Sequence, residues 1–211
     1  MPQTEKDTLR KDVVRTGRKF DQVLQGAREV FMADGFAAAS VDDIARAAGV
    51  SKATLYSYFP DKRLLFIEVA RDACRRQAEA ALDLTDINAP PRDVLTQAAL
   101  QLTTIITAEF SQRIFRICVA EVDRFPELGQ AFYESGPMLG RDRISQYLKH
   151  AVSRGDLAID DIAMAADQFT ELCKAELFMR AVFGIQSQFS EAERARVAHA
   201  AVDMFLARYS A

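Results

Sequence analysis

The sequence is poor both in residues that interrupt helices and in residues that build reactive sites. Only nine glycines and six prolines are scattered through 211 residues. Apolar positions recur at three- and four-residue steps instead of alternating, which excludes a strand-rich fold and predicts helix throughout. The two histidines, His150 and His199, leave little material for imidazole-based metal or triad chemistry. Cys74, Cys118 and Cys173 are far apart, odd in number and never in a C-x-x-C pair. That pattern suits free thiols in a reducing compartment rather than a disulfide framework or a zinc site, and small core residues at that. The longest run without a charge, Val94 to Ala108, contains two Gln and four Thr, whereas a bilayer span needs about 20 mostly apolar residues. No membrane contact is expected. The charged start Met1-Pro2-Gln3-Thr4-Glu5-Lys6-Asp7 has no apolar stretch behind it, so no secretory leader is expected and the cytoplasm is the expected location. With no glycine-rich phosphate loop and no metal-spaced cluster, neither a cofactor nor a metal is expected.

What is present is a balanced, half-apolar composition with 27 Lys+Arg against 30 Asp+Glu. It fits a soluble globular protein with room for one large domain or two. Phe20, Val23, Leu24, Ala27, Val30 and Phe31 form one stripe of a helix from about Arg18 to Asp34, where Gly35 supplies a left-handed cap. Ser40-Val41-Asp42-Asp43 writes a second start, with a hydroxyl at the N-cap and a carboxylate three residues on. That short helix ends at Gly49, and Ser51 caps another running to about Phe59. Pro60 prevents simple continuation and Asp61 caps a long helix from Lys62, which carries Leu64, Leu65, Ile67, Ala70, Cys74, Ala78 and Leu82. Beyond Asn88-Ala89-Pro90-Pro91 the spacing predicts helices at about 92–108, 111–123, 127–135, 138–154, 161–185 and 191–208, the last opened by the capping box Ser190-Glu191-Ala192-Glu193.

Two short helices joined by Gly49-Val50-Ser51, with small Ala45 near their crossing and Leu55 as a buried anchor, make a helix-turn-helix pattern. A glycine-linked pair inside an ordinary bundle would share that spacing. The outer face of the second helix separates the two readings. With Leu55 and Phe59 inward, a step of about 100° per residue puts Ala53 and Ser57 opposite them, Thr54 and Tyr56 on the flanks, and Lys52 and Tyr58 nearer the edges. That face contains no carboxylate, which an ordinary solvated face would carry, and its small, hydroxyl, aromatic and cationic groups suit base edges and phosphates.

The run Phe36-Ala37-Ala38-Ala39-Ser40-Val41-Asp42-Asp43-Ile44-Ala45-Arg46-Ala47-Ala48-Gly49-Val50-Ser51-Lys52-Ala53-Thr54-Leu55-Tyr56-Ser57-Tyr58-Phe59-Pro60-Asp61-Lys62 resembles the DNA-binding domain of the TetR/AcrR family of bacterial transcriptional regulators. The resemblance extends from about Arg18 to Val69. It implies that Ser51, Lys52, Ala53, Thr54, Tyr56 and Ser57 lie at the groove, that Tyr58 and Lys62 hold phosphates, and that Ser40 meets the backbone. Ser57 and Asp61 depart from the commonest family pattern, so no base preference is carried over. Lys62 has a separate rationale as a cation beside a helix N-terminus, set against the reading of a plain surface lysine. Residues 1 to 62 carry ten Lys+Arg and nine Asp+Glu, a weak asymmetry of the sign expected of a DNA-facing end. For residues 1–17, a flexible basic arm, two readings stay open: contact with phosphates or a minor groove, and a solubilising tail.

Ten of the fourteen phenylalanines follow Leu64, and packing accounts for most of them. The stretch from Phe115 to Pro137 is similar to the AefR-like C-terminal domain of the same family. It implies a bundle that encloses a cavity for a small-molecule effector. Phe110, Phe115, Cys118, Phe132, Met138, Phe169 and Cys173 are candidate lining residues, with a plain core role as the alternative for each. Phe169, Leu177, Val182, Val197, Ala201, Met204 and Phe205 lie on the broad apolar faces of the last two helices. The resemblance assigns these to a four-helix homodimer interface, and intramolecular packing is the alternative.

The expected protein is all-α, with a helix-turn-helix domain over 18–62 and an effector-binding and dimerisation domain over 63–211. It is expected to act as a ligand-responsive repressor that binds a near-palindromic double-stranded DNA operator as a dimer, with control of an efflux transporter among the expected roles. A helical enzyme and a ligand-binding adaptor are the alternatives. Against the enzyme, Asp42/Asp43 and Asp160/Asp161 sit at helix starts where capping explains them, and neighbours on a helix diverge by about 100°. Against the adaptor, residues 51–58 lack the acidic or apolar face it requires.

Overall fold

The computed structural model describes residues 17–82 and 87–211. The basic arm therefore lies outside the described residues, save Gly17. Among the described residues the elements are helical, with one isolated antiparallel bridge, Leu157 to Ser210. Contacts divide the chain into a unit through Val69 and a unit from Ala70 onward.

The first unit contains α1 (Arg18–Ala38), α2 (Val41–Ala47), α3 (Lys52–Tyr58) and the opening of α4 (Lys62–Leu82). The α1 stripe is buried as its spacing requires. Gly35 breaks the helix with φ 76°, a left-handed value that glycine tolerates without cost. Ser40 caps α2 by accepting the Asp43 amide at 3.1 Å, and Ser51 caps α3 by accepting the Thr54 amide at 3.1 Å. Between them Gly49 turns the chain at φ 64°. Asp61 caps α4, accepting the amides of Arg63 at 2.8 Å and Leu64 at 3.0 Å. The unit extends past Lys62 because Phe66 packs edge-on against Phe31 and Phe36, with centroids 5.2 and 5.4 Å away.

Gly26 lies in the middle of α1, where a Cβ would stand 2.5 Å from the Ala48 amide nitrogen. The absence of a side chain lets α1 meet the end of α2 almost backbone to backbone. A lone glycine costs a helix about 1 kcal/mol relative to alanine, and here close packing offsets it.

In the second unit α5 (Pro91–Thr107), α8 (Pro137–Ser153), α9 (Ile162–Lys174) and α11 (Glu191–Tyr209) share one core built on Leu95, Leu148, Phe169, Val202 and Phe205. The helices α6 (Glu109–Glu121), α7 (Pro126–Ser135) and α10 (Leu177–Val182) complete the unit outside that core. The single helix expected over 161–185 is in fact two. At Glu176 the backbone has φ 64° and ψ −42°, and the Leu177 amide donates to the Ala175 carbonyl at 2.7 Å. This three-residue turn is strained for an L residue. Periodicity misses it because apolar residues continue in step on both sides. Side-chain charge holds it: the Glu176 carboxylate accepts Arg180 at 3.1 Å and also pairs with Arg196 of α11. Beyond the turn, Leu177, Ala181, Phe189 and Val197 form a second, smaller core.

Candidate functional site

The outer face of α3 is built from inside. Leu55 and Phe59 are buried, and Phe59 stacks on Phe20 with ring centroids 5.5 Å apart. The opposite side, Ser51, Lys52, Ala53, Tyr56 and Ser57, is exposed, while Thr54 and Tyr58 are half-buried. Tyr56 is 49% exposed, and the Tyr58 ring sets its edge against Phe20 at 5.8 Å. Ser51 and Thr54 share a hydroxyl hydrogen bond of 2.9 Å, and the Ser57 hydroxyl donates to the Thr54 carbonyl at 2.6 Å. The hydroxyls are thus pre-set by the helix itself, which leaves the Tyr56 ring and the Lys52 ammonium as the long groups of the face.

Two cations and a cap are more constrained than the sequence suggests. Lys52 is paired with Asp42 of α2, and that carboxylate raises the lysine above its usual range. Lys62 turns its ammonium back onto the end of α1, donating to the carbonyls of Ala37 at 3.2 Å and Ala39 at 2.9 Å, and sits 4.8 Å from the centre of the Phe36 ring. Its contribution to the fold is therefore direct. Ser40 both accepts from the Asp43 amide and donates its hydroxyl to the Asp43 carboxylate, which also takes Arg46 at 2.7 Å. The Ser40 hydroxyl is the main reason the Asp43 carboxyl lies below its usual range.

In the second unit the expected lining residues fall into two groups. Phe115 of α6 and Phe132 of α7 meet at 5.9 Å, and Phe115 meets Phe178 of α10 at 5.2 Å. Cys118 is buried on the same helix, where burial pushes its thiol up to about 12. Phe110 and Met138 are half-buried. Phe169 and Cys173 instead sit in the main core with no exposed surface, Phe169 against Phe205 at 5.3 Å. A residue that pattern reasoning missed lies one turn before Phe115. Gln112 is 4% exposed, its amide nitrogen donates to the Ile106 carbonyl, and its side-chain oxygen has no hydrogen-bond partner. Its sequence signal is a lone amide in a helix whose other inward positions are apolar. A buried acceptor left without a donor costs about 1–3 kcal/mol.

The expected dimer residues lie mostly in the interior of the chain. Phe169, Leu177, Val197, Ala201 and Phe205 are buried inside their own chain and present no surface to a second copy. The apolar stripe read from sequence is the stripe that packs the subunit. Of that set, Val182 is half-buried and Met204 is 62% exposed. Outward apolar residues between Ile162 and Ile185 are Met164, Met179, Phe183 and Ile185, all of which periodicity assigns to the one helix expected over 161–185. Among the described residues no helix is long and apolar enough to cross a membrane.

Comparison with known proteins fits both units. Residues 23–69 match the profile of bacterial regulatory proteins of the tetR family, and residues 93–211 match the AefR-like transcriptional repressor C-terminal domain. The flavonoid-responsive regulator FrrA is 36% identical, with a TM-score of 0.78 and coverage of 92% of this chain and 98% of that one. A TetR-family regulator from Mesorhizobium loti gives a TM-score of 0.83 at 28% identity, over 92% of this chain and 98% of its own. The transcriptional regulator SrpR of Pseudomonas putida is 28% identical over 90% of this chain and 85% of its own length. Other curated relatives match over a shorter stretch: the alignment spans 31% of the repressor AcnR of Corynebacterium efficiens, at 36% identity over 28% of this chain. The chain belongs to the TetR family of DNA-binding transcriptional regulators, with a C-terminal domain of the AefR-like type, and is not an enzyme.

Proposed function

We propose that this protein is a cytoplasmic, dimeric repressor that places α3 of each subunit in successive major grooves of a near-palindromic operator and is released by a small molecule. The observation that carries the reading is the outward face of residues 51–58, free of carboxylates and held clear of its own core by Leu55 and Phe59. Small Ala53 and Ser57 allow close approach, Tyr56 reaches toward base edges, and Ser40, Tyr58 and Lys62 border the phosphate side. For the dimer, the exposed apolar residues Met204, Met179, Phe183 and Ile185 are the side chains proposed to meet a second copy. Two-fold symmetry would then match operator symmetry.

For the effector, the Phe115, Phe132 and Phe178 rings offer apolar walls, and the unpartnered oxygen of Gln112 offers an acceptor. That chemistry suits a flat aromatic molecule carrying a hydroxyl. Support comes from FrrA, whose name states a response to flavonoids. Effector and DNA would oppose each other by linkage, each weakening the other by one factor.

Footprinting on the promoter fragments flanking the gene tests the reading. Protection of a near-palindrome by the wild-type protein, its loss in Tyr56→Ala and its reversal by added flavonoid would support it. It would also show whether an efflux transporter gene is the target. A protein that leaves every fragment unprotected would overturn it. Sedimentation of Met204→Asp reads the dimer separately, a monomer being the expected result.

A further inference from the structure

Lys52 is the only charged residue of the 51–58 segment. In the free protein it does not stand alone, because the carboxylate of Asp42, from the first turn of α2, is paired with its ammonium across the helix-turn-helix. Asp42 and Asp43 are neighbours in sequence with different tasks. Asp43 is engaged within its own helix, by the Ser40 hydroxyl and Arg46. Asp42 reaches the other helix. Both partners of the Asp42–Lys52 pair are more than half exposed, so water weakens the attraction and a phosphate oxygen can displace the carboxylate.

We propose that Asp42 tempers DNA affinity: it occupies the Lys52 ammonium and withholds that cation from random duplex, so that non-specific binding has one phosphate contact fewer until operator contacts seat α3 in the groove. The inference rests on reading α3 as the DNA-reading helix. Non-specific affinity comes from phosphates neutralised by free cations. A cation already balanced by an internal carboxylate releases fewer counterions from DNA than a bare one, and the carboxylate repels the phosphates as well. On the operator, base-edge and apolar contacts along α3 supply the surplus that exchanges Asp42 for a phosphate. On random sequence they do not, and the pair stays closed. The anion therefore lowers affinity in both modes, on the operator by the cost of opening the pair and on random sequence by the phosphate contact forgone, and it leaves the non-specific mode with the shallower salt dependence.

The test is a cycle of D42N, K52Q and D42N/K52Q. Each is titrated by fluorescence anisotropy against a random-sequence duplex and against the genomic fragment that the wild-type protein protects, between 50 and 200 mM salt. D42N should bind the random duplex more tightly and steepen its log–log salt slope by about 0.9. Its advantage over wild type then grows about 3.5-fold from 200 down to 50 mM salt, and the operator, where the pair no longer has to open, tightens as well. K52Q should weaken both duplexes, and the D42N gain should be largely lost in the K52Q background. Should D42N melt lower than wild type, Asp42→Ser keeps a residue suited to the first turn of a helix and gives the same readout. A D42N slope and random affinity equal to wild type, with K52Q still weakening binding, would overturn the role of Asp42 alone. A D42N gain undiminished by K52Q would overturn the coupling through Lys52. If K52Q changed neither duplex, the placement of Lys52 at the DNA would fail as well.

Discussion

Replacing Gly26 with alanine adds one methyl group at the tightest point of the DNA-binding unit. The new Cβ would lie 2.5 Å from the Ala48 nitrogen and 2.8 Å from its Cα, where ordinary contact begins at 3.4 Å. Both atoms are backbone, so no side-chain rotation relieves the overlap and α1 must part from α2. Overpacking of this kind costs about 1–3 kcal/mol, and backbone opposition places it at the upper end. The helix gains back about 1 kcal/mol from alanine over glycine, which leaves a net loss of about 2 kcal/mol. With a urea dependence of about 2 kcal/mol per molar, the unfolding midpoint of that unit should fall by about 1 M. Gly140 supplies the control, since a Cβ there meets nothing within 4 Å and the residue lies inside α8. Gly140→Ala should therefore stabilise its own unit by up to about 1 kcal/mol. Urea melts followed by circular dichroism decide the matter, with operator binding as a second readout because α2 carries α3. If G26A melted at or above the wild-type midpoint, or if the two variants shifted in the same direction, the close-approach argument would be wrong.

Other expectations are simpler. Tyr56→Ala should lose about 1–3 kcal/mol of operator binding if its ring supports a base contact. The melt should barely change, because the ring is half exposed; equal losses of binding and stability would contradict that. Lys62→Met strips a charged donor from the carbonyls of Ala37 and Ala39 and should destabilise the DNA-binding unit by about 1–2 kcal/mol, read by the same urea melt. An unchanged melt would remove its anchoring role. Glu193, bonded by Gln186 and by the amide and hydroxyl of Ser190, is held down to about 2. A carboxyl depressed in the folded state adds stability above its unfolded value, and that contribution fades as pH falls from the ordinary carboxylate range through about 2. The stability gap between wild type and Glu193→Gln should accordingly be full at neutral pH and shrink on acidification, as urea titrations across that range would show.

Local signals carried well from sequence to structure. Ser40, Ser51, Asp61 and Ser190 cap the helices that their spacing announces, and Gly35 and Gly49 turn where positive φ is needed. Caps and glycine turns depend on neighbours a few residues away, so a linear pattern contains them. What failed depends on distant partners. The turn at Glu176 lies where its carboxylate pairs with Arg196 of another helix, a partner twenty residues away in sequence. A stripe of apolar residues on α11 does not say whether it faces its own core or a second chain, and Val197, Ala201 and Phe205 face the core. Lys62 reads in sequence as a phosphate-binding cation, with a plain surface lysine as the alternative, and its bonds to the carbonyls of Ala37 and Ala39 depend on the distant end of α1. Gln112 gave only the weak signal of a polar residue in an apolar helix, and its lone acceptor emerges only from three-dimensional accounting.

The interruption at Glu176 also partitions the larger unit thermodynamically. The residues after it are anchored in four side chains of their own, apart from the main core. Among its further ties, α10 packs against α5 and α9 and is held by α6 through the Phe115–Phe178 ring contact and the Arg116 guanidinium, which donates to the Ala181 and Val182 carbonyls at 3.1 and 3.3 Å. A cluster with only four buried side chains of its own opens at lower free energy than the larger core beside it. Amide exchange should therefore be faster along this segment than along α5 or α11, and the segment can loosen while the rest of the bundle stays intact.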